Sequence, residues 1–211
     1  FISQGNSIVH TLPQEYVVDS STGIQEPVGI SGLKLQGDFL MITSPTLALD
    51  KTKRCIERAK EKMEIEGGLV FSPLAASLAV LSEQEKKSGV ALVDIGSGTT
   101  EIAIFYKNIV RYISVLPYAG DIITADVEQG CNVSNEHAEV LKVRFGNALA
   151  SQVPFEDTIS IPGINGRKPK VVSVKNLSII IEERLKEIAA LVVAEISRSG
   201  FGNRLSCGIV L

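Results

Sequence analysis

A chain of 211 residues that is 45% hydrophobic and 21% charged can bury at least one sizeable core, and at this length two. Its net charge of −3 argues against a nucleic-acid surface, which needs a clustered excess of Lys and Arg, and no apolar run approaches the roughly 18 residues of a membrane-spanning helix. Cys55, Cys131 and Cys207 are widely spaced and odd in number, which suits buried thiols in a reducing compartment better than a disulfide framework or a zinc site, so a cytosolic protein is expected.

Residues 1–44 hold the strand-like runs "SIVHTL", "EYVVD" and "GDFLMIT", punctuated by Pro13, Gly23, Pro27, Gly29 and Gly32, which predicts a small sheet-rich module. Pro45 and Thr46 are placed to open a helix through "TLALDKTKRCIERAKEKM", with Leu49, Cys55, Ile56, Ala59 and Met63 roughly on one face. "GLVFSP" reads as a short buried strand and "LAASLAVL" as a helix ending in the solvated charges of "SEQEKKSG". Residues 90–105, "VALVDIGSGTTEIAIF", are two apolar strands about a small flexible loop. "NIVRYISVLP" supplies a third strand, and "DIITADVEQGC" and "NEHAEVLKVRFG" two helices, the second capped by Ser134 or Asn135. Residues 151–174 return to strand and turn, with "SIPGINGRKPK" as a hairpin-like loop. "NLSIIIEERLKEIAALVVAEISRSG" is the longest helical pattern, with Asn176 as its cap and Gly200 as its stop. The chain opens on Phe1 rather than methionine and closes on "CGIVL", a strand pattern cut short, so a fragment of a longer protein is expected.

The loop after Asp94 is where chemistry is legible. Gly96 and Gly98 carry no side chain to keep a phosphate off the backbone, and Ser97, Thr99 and Thr100 add hydroxyl donors. A glycine-rich turn between two antiparallel strands accounts for the same residues. Asp94 tips the balance, because a carboxylate beside a phosphate is costly unless a cation lies between them, which points to magnesium held through water.

This stretch resembles the second phosphate loop of the ATPase fold shared by actin, sugar kinases and heat-shock chaperones, Asp-h-Gly-Gly-Gly-Thr-(Thr/Ser)-(Asp/Glu), with Ser97 in place of the middle glycine. "LPQEYVVDSSTGIQEPVGISGLKLQG", "SPLAASLAVLSEQEK", "VLPYAGDIITADVEQG", "HAEVLKVRFG" and "ISIPGINGRKPK" extend the resemblance over nearly the whole chain to the FtsA family of actin-like bacterial cell-division proteins. The first of these resembles an inserted subdomain peculiar to that family. The implied fold is α/β, actin-like (ribonuclease H-like). Residues 1–50 would be the inserted subdomain, 51–89 part of the first ATPase half, 90–116 and 188–211 the second half, and 117–187 a further inserted subdomain of 2B type.

The resemblance implies ATP and magnesium as cofactors. It places Gly96, Ser97, Gly98, Thr99, Thr100 and Gly120 at the phosphates, Glu139 and Lys142 of an Ala-Glu-x-x-Lys signature at ribose and base, and Asp94 on magnesium through water. By spacing alone, Glu139 and Lys142 are an ordinary i to i+3 surface pair worth roughly 0.2 to 0.5 kcal/mol. Where chaperones and MreB-like proteins carry a glutamate thought to position attacking water, this chain has Ser72, a poor general base, so at most slow hydrolysis is expected and no catalytic residue is assigned.

Arg167, Lys168, Lys170 and Lys175 precede Glu182, Glu183 and Arg184, a run that composition reads as a solvated loop. The resemblance implies instead that this region receives the C-terminal tail of the tubulin-like protein FtsZ, with Lys170, Asn176 and Arg184 as contacts. It further implies self-association into filaments, other divisome partners, no nucleic acid, and a place on the cytoplasmic face of the inner membrane at the division site, through a C-terminal helix absent from this fragment. The alternatives are a PilM-like pilus-assembly adaptor, which shares the fold and the inserted module, and an ATPase or phosphotransferase of the same fold; no stretch looks like a sugar kinase's catalytic aspartate.

Overall fold

The structure, a computed structural model, describes residues 3–59, 65–161 and 169–211. They form two compact units, one of residues 3–59, 65–92, 103–113 and 203–210, the other of residues 93–102, 114–161, 169–202 and 211.

The first unit begins with an antiparallel sheet of β1 (Asn6–Val18), β2 (Ser21–Ile24) and β3 (Leu35–Pro45) in the order β2-β1-β3. The runs "SIVHTL" and "EYVVD", expected as two strands, are one strand of 13 residues. Pro13 is accommodated because the pairing of β1 with β3 slips between Pro13 and Glu15, a bulge that relieves the missing amide. Asp19, at φ 54, turns the chain after β1, and its carboxylate accepts from the amides of Leu33 and Lys34 at 3.0 and 2.9 Å.

Helix α1 (Thr46–Glu57) opens after Pro45 as expected and buries none of its residues; Met63 lies outside the described residues. "GLVFSP" is not a strand. Val70 is 60% exposed, and Ser72 already starts α2 (Ser72–Val80), whose first turn holds Pro73. A short apolar run leading into a proline is a helix lead-in as readily as a strand, and here the proline's fixed φ decides for the helix. The charges of "SEQEKKSG" form their own helix, α3 (Glu83–Ser88), because Ser82 and Glu85 make a reciprocal capping box.

β4 (Val90–Ile95), β5 (Thr100–Tyr106), β6 (Ile109–Leu116) and β9 (Ile209–Val210) make a sheet in the order β6-β5-β4-β9. β9 runs parallel to β4, pairing Ala91 with Ile209 and Leu92 with Val210. The near-continuous burial of β4 and β5 follows from their unbroken apolar runs.

The second unit is built on α4 (Gly120–Cys131), α5 (Asn135–Phe145) and α6 (Val174–Arg198), with β7 (Thr158–Ile161) antiparallel to β8 (Lys170–Ser173). Ile123, Val127, Ala138, Leu141, Leu177, Ile181 and Ile188 form its core. Ser134 caps α5, as one of the two expected residues. The cap of α6 is Ser173 rather than Asn176; its hydroxyl accepts from the Asn176 amide, so Asn176 sits inside the first turn. Gly200, at φ 73, follows the end of α6. Arg167 and Lys168 lie outside the described residues.

Candidate functional site

Strands β4 and β5, buried apart from the exposed Asp94–Ile95 end of β4, hold an exposed loop, residues 96–99, between them. Inside it the Gly96 amide donates to the Thr99 carbonyl at 2.9 Å, so Gly96 is not a free donor. At its far end Thr100 is fully buried and gives its hydroxyl to the Tyr118 carbonyl at 2.6 Å. Thr100 therefore anchors the loop to the chain before α4 instead of presenting a hydroxyl to a ligand, a correction to the expected donor set.

The loop is fastened to the start of α4. That helix has no side-chain cap at Ala119; its first amides are satisfied by loop carbonyls, Gly120 donating to Gly96 at 3.0 Å and Asp121 to Ser97 at 2.7 Å. A trans peptide holds its N–H antiparallel to its C=O, and no cis bond is present among the described residues. With the Gly96 and Ser97 carbonyls aimed at α4, the amides of Ser97 and Gly98 are aimed away from it. Those two donors, rather than Gly96, are what this loop offers an anion.

None of Gly96, Gly98 and Gly120 lies in the left-handed region, so their glycines serve space rather than backbone freedom. A Cβ on Gly98 would meet nothing nearer than Asp121 Oδ2 at 3.7 Å, leaving room for a ligand. A Cβ on Gly120 would stand 3.3 Å from the Gly96 carbonyl and 3.6 Å from Lys142 Nζ. Asp94 is exposed near the end of β4 and Thr99 is exposed in the loop.

Lys142 and Glu139, one turn apart on α5, form the expected i to i+3 pair at 2.7 Å. They also grip α4. Lys142 Nζ donates to the Gly120 carbonyl at 3.1 Å and to Thr124 Oγ1 at 2.7 Å, so with Glu139 the three ammonium protons have three partners. Thr124 in turn donates to Glu139 Oε2. The bond from Lys142, then that from Thr124, hold the Glu139 carboxyl below its ordinary pKa, against partial desolvation. The structure thus brings Gly96, Ser97, Gly98, Gly120, Glu139 and Lys142 together about one helix terminus. Sequence reasoning missed Thr124 and Asp121; the only signal for either was its place in the first turns after Gly120.

The expected partner residues have neighbours of their own. Lys170 Nζ donates to the carbonyl of Asn132, the left-handed residue ending α4, where a cation complements the helix dipole. Arg184 makes a two-pronged ion pair with Asp126 of α4, at 2.5 and 3.0 Å, and bonds Glu187 at 2.6 Å. That pair makes the guanidinium a structural tie between α6 and α4, and the Asp126 bond raises its pKa. Asn176 is exposed.

A family model described as "Cell division protein FtsA" matches residues 91–208, and one described as "SHS2 domain inserted in FTSA" matches residues 1–43. The cell division protein FtsA of Pseudomonas aeruginosa is 37% identical over 204 residues, covering 97% of this chain and 48% of the relative. The chain spans about half the length of the curated relatives it matches. Among solved structures, the MamK filament aligns at TM-score 0.51 and 15% identity over 72% of this chain and 46% of that one. The PilM of a PilM-PilN type IV pilus biogenesis complex aligns at TM-score 0.50 and 15% identity, over 68% and 39%. At these identities the likeness carries the fold alone, which is α/β and actin-like.

Proposed function

This chain belongs to the FtsA family of cell division proteins, and from that premise we propose that it is part of an actin-like, ATP-binding protein that self-associates and tethers the FtsZ ring to the cytoplasmic membrane. The observation that carries the nucleotide reading is the loop of residues 96–99 fastened by its carbonyls to α4, with the Ser97 and Gly98 amides turned outward and open space at Gly98.

In this reading the phosphates accept from those two amides, and the positive end of α4 lies behind the loop. Asp94 would hold magnesium through water, and the ion would supply the positive charge that lets a carboxylate stand near phosphate. The half-exposed Glu139 accepts from ribose hydroxyls. Lys142, its protons already engaged, fixes Glu139 and the Gly120 carbonyl in register. Thr99 completes the loop, while Thr100 supports it from within. Ser72 in the family's water-positioning place favours binding over turnover, so any hydrolysis is slow.

Residues 1–50 are assigned to the inserted subdomain, 51–89 to part of the first ATPase half, 90–116 and 188–211 to the second half, and 117–187 to the 2B-type insertion. The acidic FtsZ tail is placed at Lys170 and Asn176, with Arg184 behind them as a tie to α4. The protein would act at the cytoplasmic face of the inner membrane, at the division site, among other divisome partners.

Calorimetric titration of the full-length protein with ATP tests the site. Binding should require magnesium; Gly98→Val should weaken it at least about ten-fold, and Asp94→Lys should abolish the magnesium dependence. Unchanged affinity in Gly98→Val would show that the loop is only a turn.

A further inference from the structure

We propose that Asp121 is a positioning residue that aims the phosphate loop through a hydrogen bond to Ser97. The inference rests on the nucleotide reading above and adds a residue and a mechanism to it. Ser97 Oγ donates to Asp121 Oδ1 at 2.6 Å, and the Asp121 amide donates back to the Ser97 carbonyl at 2.7 Å. One residue of α4 thereby holds both the side chain and the backbone of one residue of the loop.

The reciprocity fixes more than a distance. A carbonyl held by one amide can still rock about that bond; a second tether from the side chain of the same residue removes the rocking. Once the Ser97 carbonyl is fixed toward α4, peptide planarity fixes the Gly98 amide away from it. The Gly120 amide does the same for the Ser97 amide through the Gly96 carbonyl, at 3.0 Å. A loop of small residues would otherwise sample many orientations, and ordering it on binding would cost affinity.

Ser97 is also the residue at which this loop departs from the glycine of the resembled phosphate-loop pattern. A glycine there has no hydroxyl and leaves only the backbone bond. Ser97 Oγ, which a glycine would lack, is the donor that Asp121 receives from the loop. The hydrogen bond from Ser97 also directs negative charge on Oδ1 toward the hydroxyl.

Both side chains are exposed, so replacing them opens no cavity and the fold should be retained. The test uses full-length protein, MgATP and adenosine as probes, and the variants Ser97→Ala, Asp121→Ala, Asp121→Asn and the double variant Ser97→Ala/Asp121→Ala. Each alanine variant should weaken MgATP binding about three- to ten-fold while leaving adenosine binding within two-fold, since the loop faces phosphate and not the nucleoside. The double variant should be no weaker than either single one, because both remove the same bond. Asp121→Asn keeps an oxygen acceptor and the amide, so it should rescue affinity to within about two-fold of wild type. Losses that multiply in the double variant, alanine variants equal to wild type, or an Asp121→Asn variant as weak as Asp121→Ala would each overturn the positioning role while wild-type binding stands. A wild-type protein that binds no MgATP would instead overturn the nucleotide reading, and this inference with it.

Discussion

Replacing Gly120 separates packing from ligand approach at the start of α4. An added Cβ would sit 3.3 Å from the Gly96 carbonyl oxygen, 3.6 Å from Lys142 Nζ and 3.6 Å from Ser97 Cα. The first of these is tighter than ordinary van der Waals contact, and the atom that must yield is backbone of the phosphate loop, held by Gly120's own amide at 3.0 Å. Gly120→Ala gains helix propensity worth at most about 1 kcal/mol in a helix interior and less at a terminus, which offsets the crowding, so stability should stay within roughly 0.5 kcal/mol of wild type. Gly120→Val adds two methyl groups to the same gap and should cost about 1–3 kcal/mol as overpacking. Affinity should respond more steeply than stability. A shift of a few tenths of an ångström in the loop lengthens amide-to-phosphate bonds, and losing one bond to a charged partner is worth about 1.5–3 kcal/mol, or ten-fold and more in affinity. Thermal unfolding with parallel ATP calorimetry on full-length protein reads both. Gly120→Ala should be near wild type in stability yet about three- to ten-fold weaker for MgATP, and Gly120→Val worse in both. Wild-type affinity in Gly120→Val would refute the coupling of this residue to the phosphate loop through the Gly96 carbonyl.

Leu177 is fully buried in the core of the second unit, so Leu177→Ala should lower urea stability by about 2–5 kcal/mol; a loss under about 1 kcal/mol would mean that α6 is not packed as described. Glu139 has a folded pKa below its unfolded one, so its contribution is present above the unfolded value of about 4.3 and fades as pH falls through the lower folded value. Urea midpoints measured from pH 7 to pH 3 should therefore fall less in Glu139→Gln than in wild type, and equal slopes would contradict the clamp. Arg184→Glu would set a third carboxylate against Asp126 and Glu187 and lower the melting temperature; adding Asp126→Lys should recover part of it, and no recovery would exclude the tie between α4 and α6. Binding of an FtsZ C-terminal tail peptide should weaken as salt rises, since exposed charges are screened within about 8 Å at physiological ionic strength, and Lys170→Glu should weaken it further at low salt. A salt-independent affinity would remove Lys170 from that surface.

Elements with a local signature were legible in the sequence. The apolar runs of β4 and β5, the proline before α1, Ser134 before α5 and Gly200 after α6 each act within a few residues, and each lies where the pattern places it. Failures came at one long-range strand pairing and at two helix caps whose residues, three apart, stood in the sequence but were passed over. β1 passes through Pro13 because β3 tolerates a bulge there, α3 exists because Ser82 and Glu85 cap each other, and α6 starts early because Ser173 reaches the Asn176 amide. In the site, the residue types were readable but their directions were not. Nothing in "GSGTT" distinguishes the outward Ser97 and Gly98 amides from the engaged Gly96 amide, or reveals that the Thr100 hydroxyl turns inward to Tyr118. Thr124 and Asp121 join the site only because α4 packs on α5 and on the loop, which spacing along one helix cannot express.

A crystal structure of the full-length protein with ATP and magnesium addresses the central claim most directly. The phosphate chain should lie within about 3 Å of the Ser97 and Gly98 amides, on the side of the loop away from α4, with magnesium and its waters between the phosphates and Asp94. Phosphates bound elsewhere, or a loop whose Ser97 and Gly98 amides turn toward α4, would contradict it.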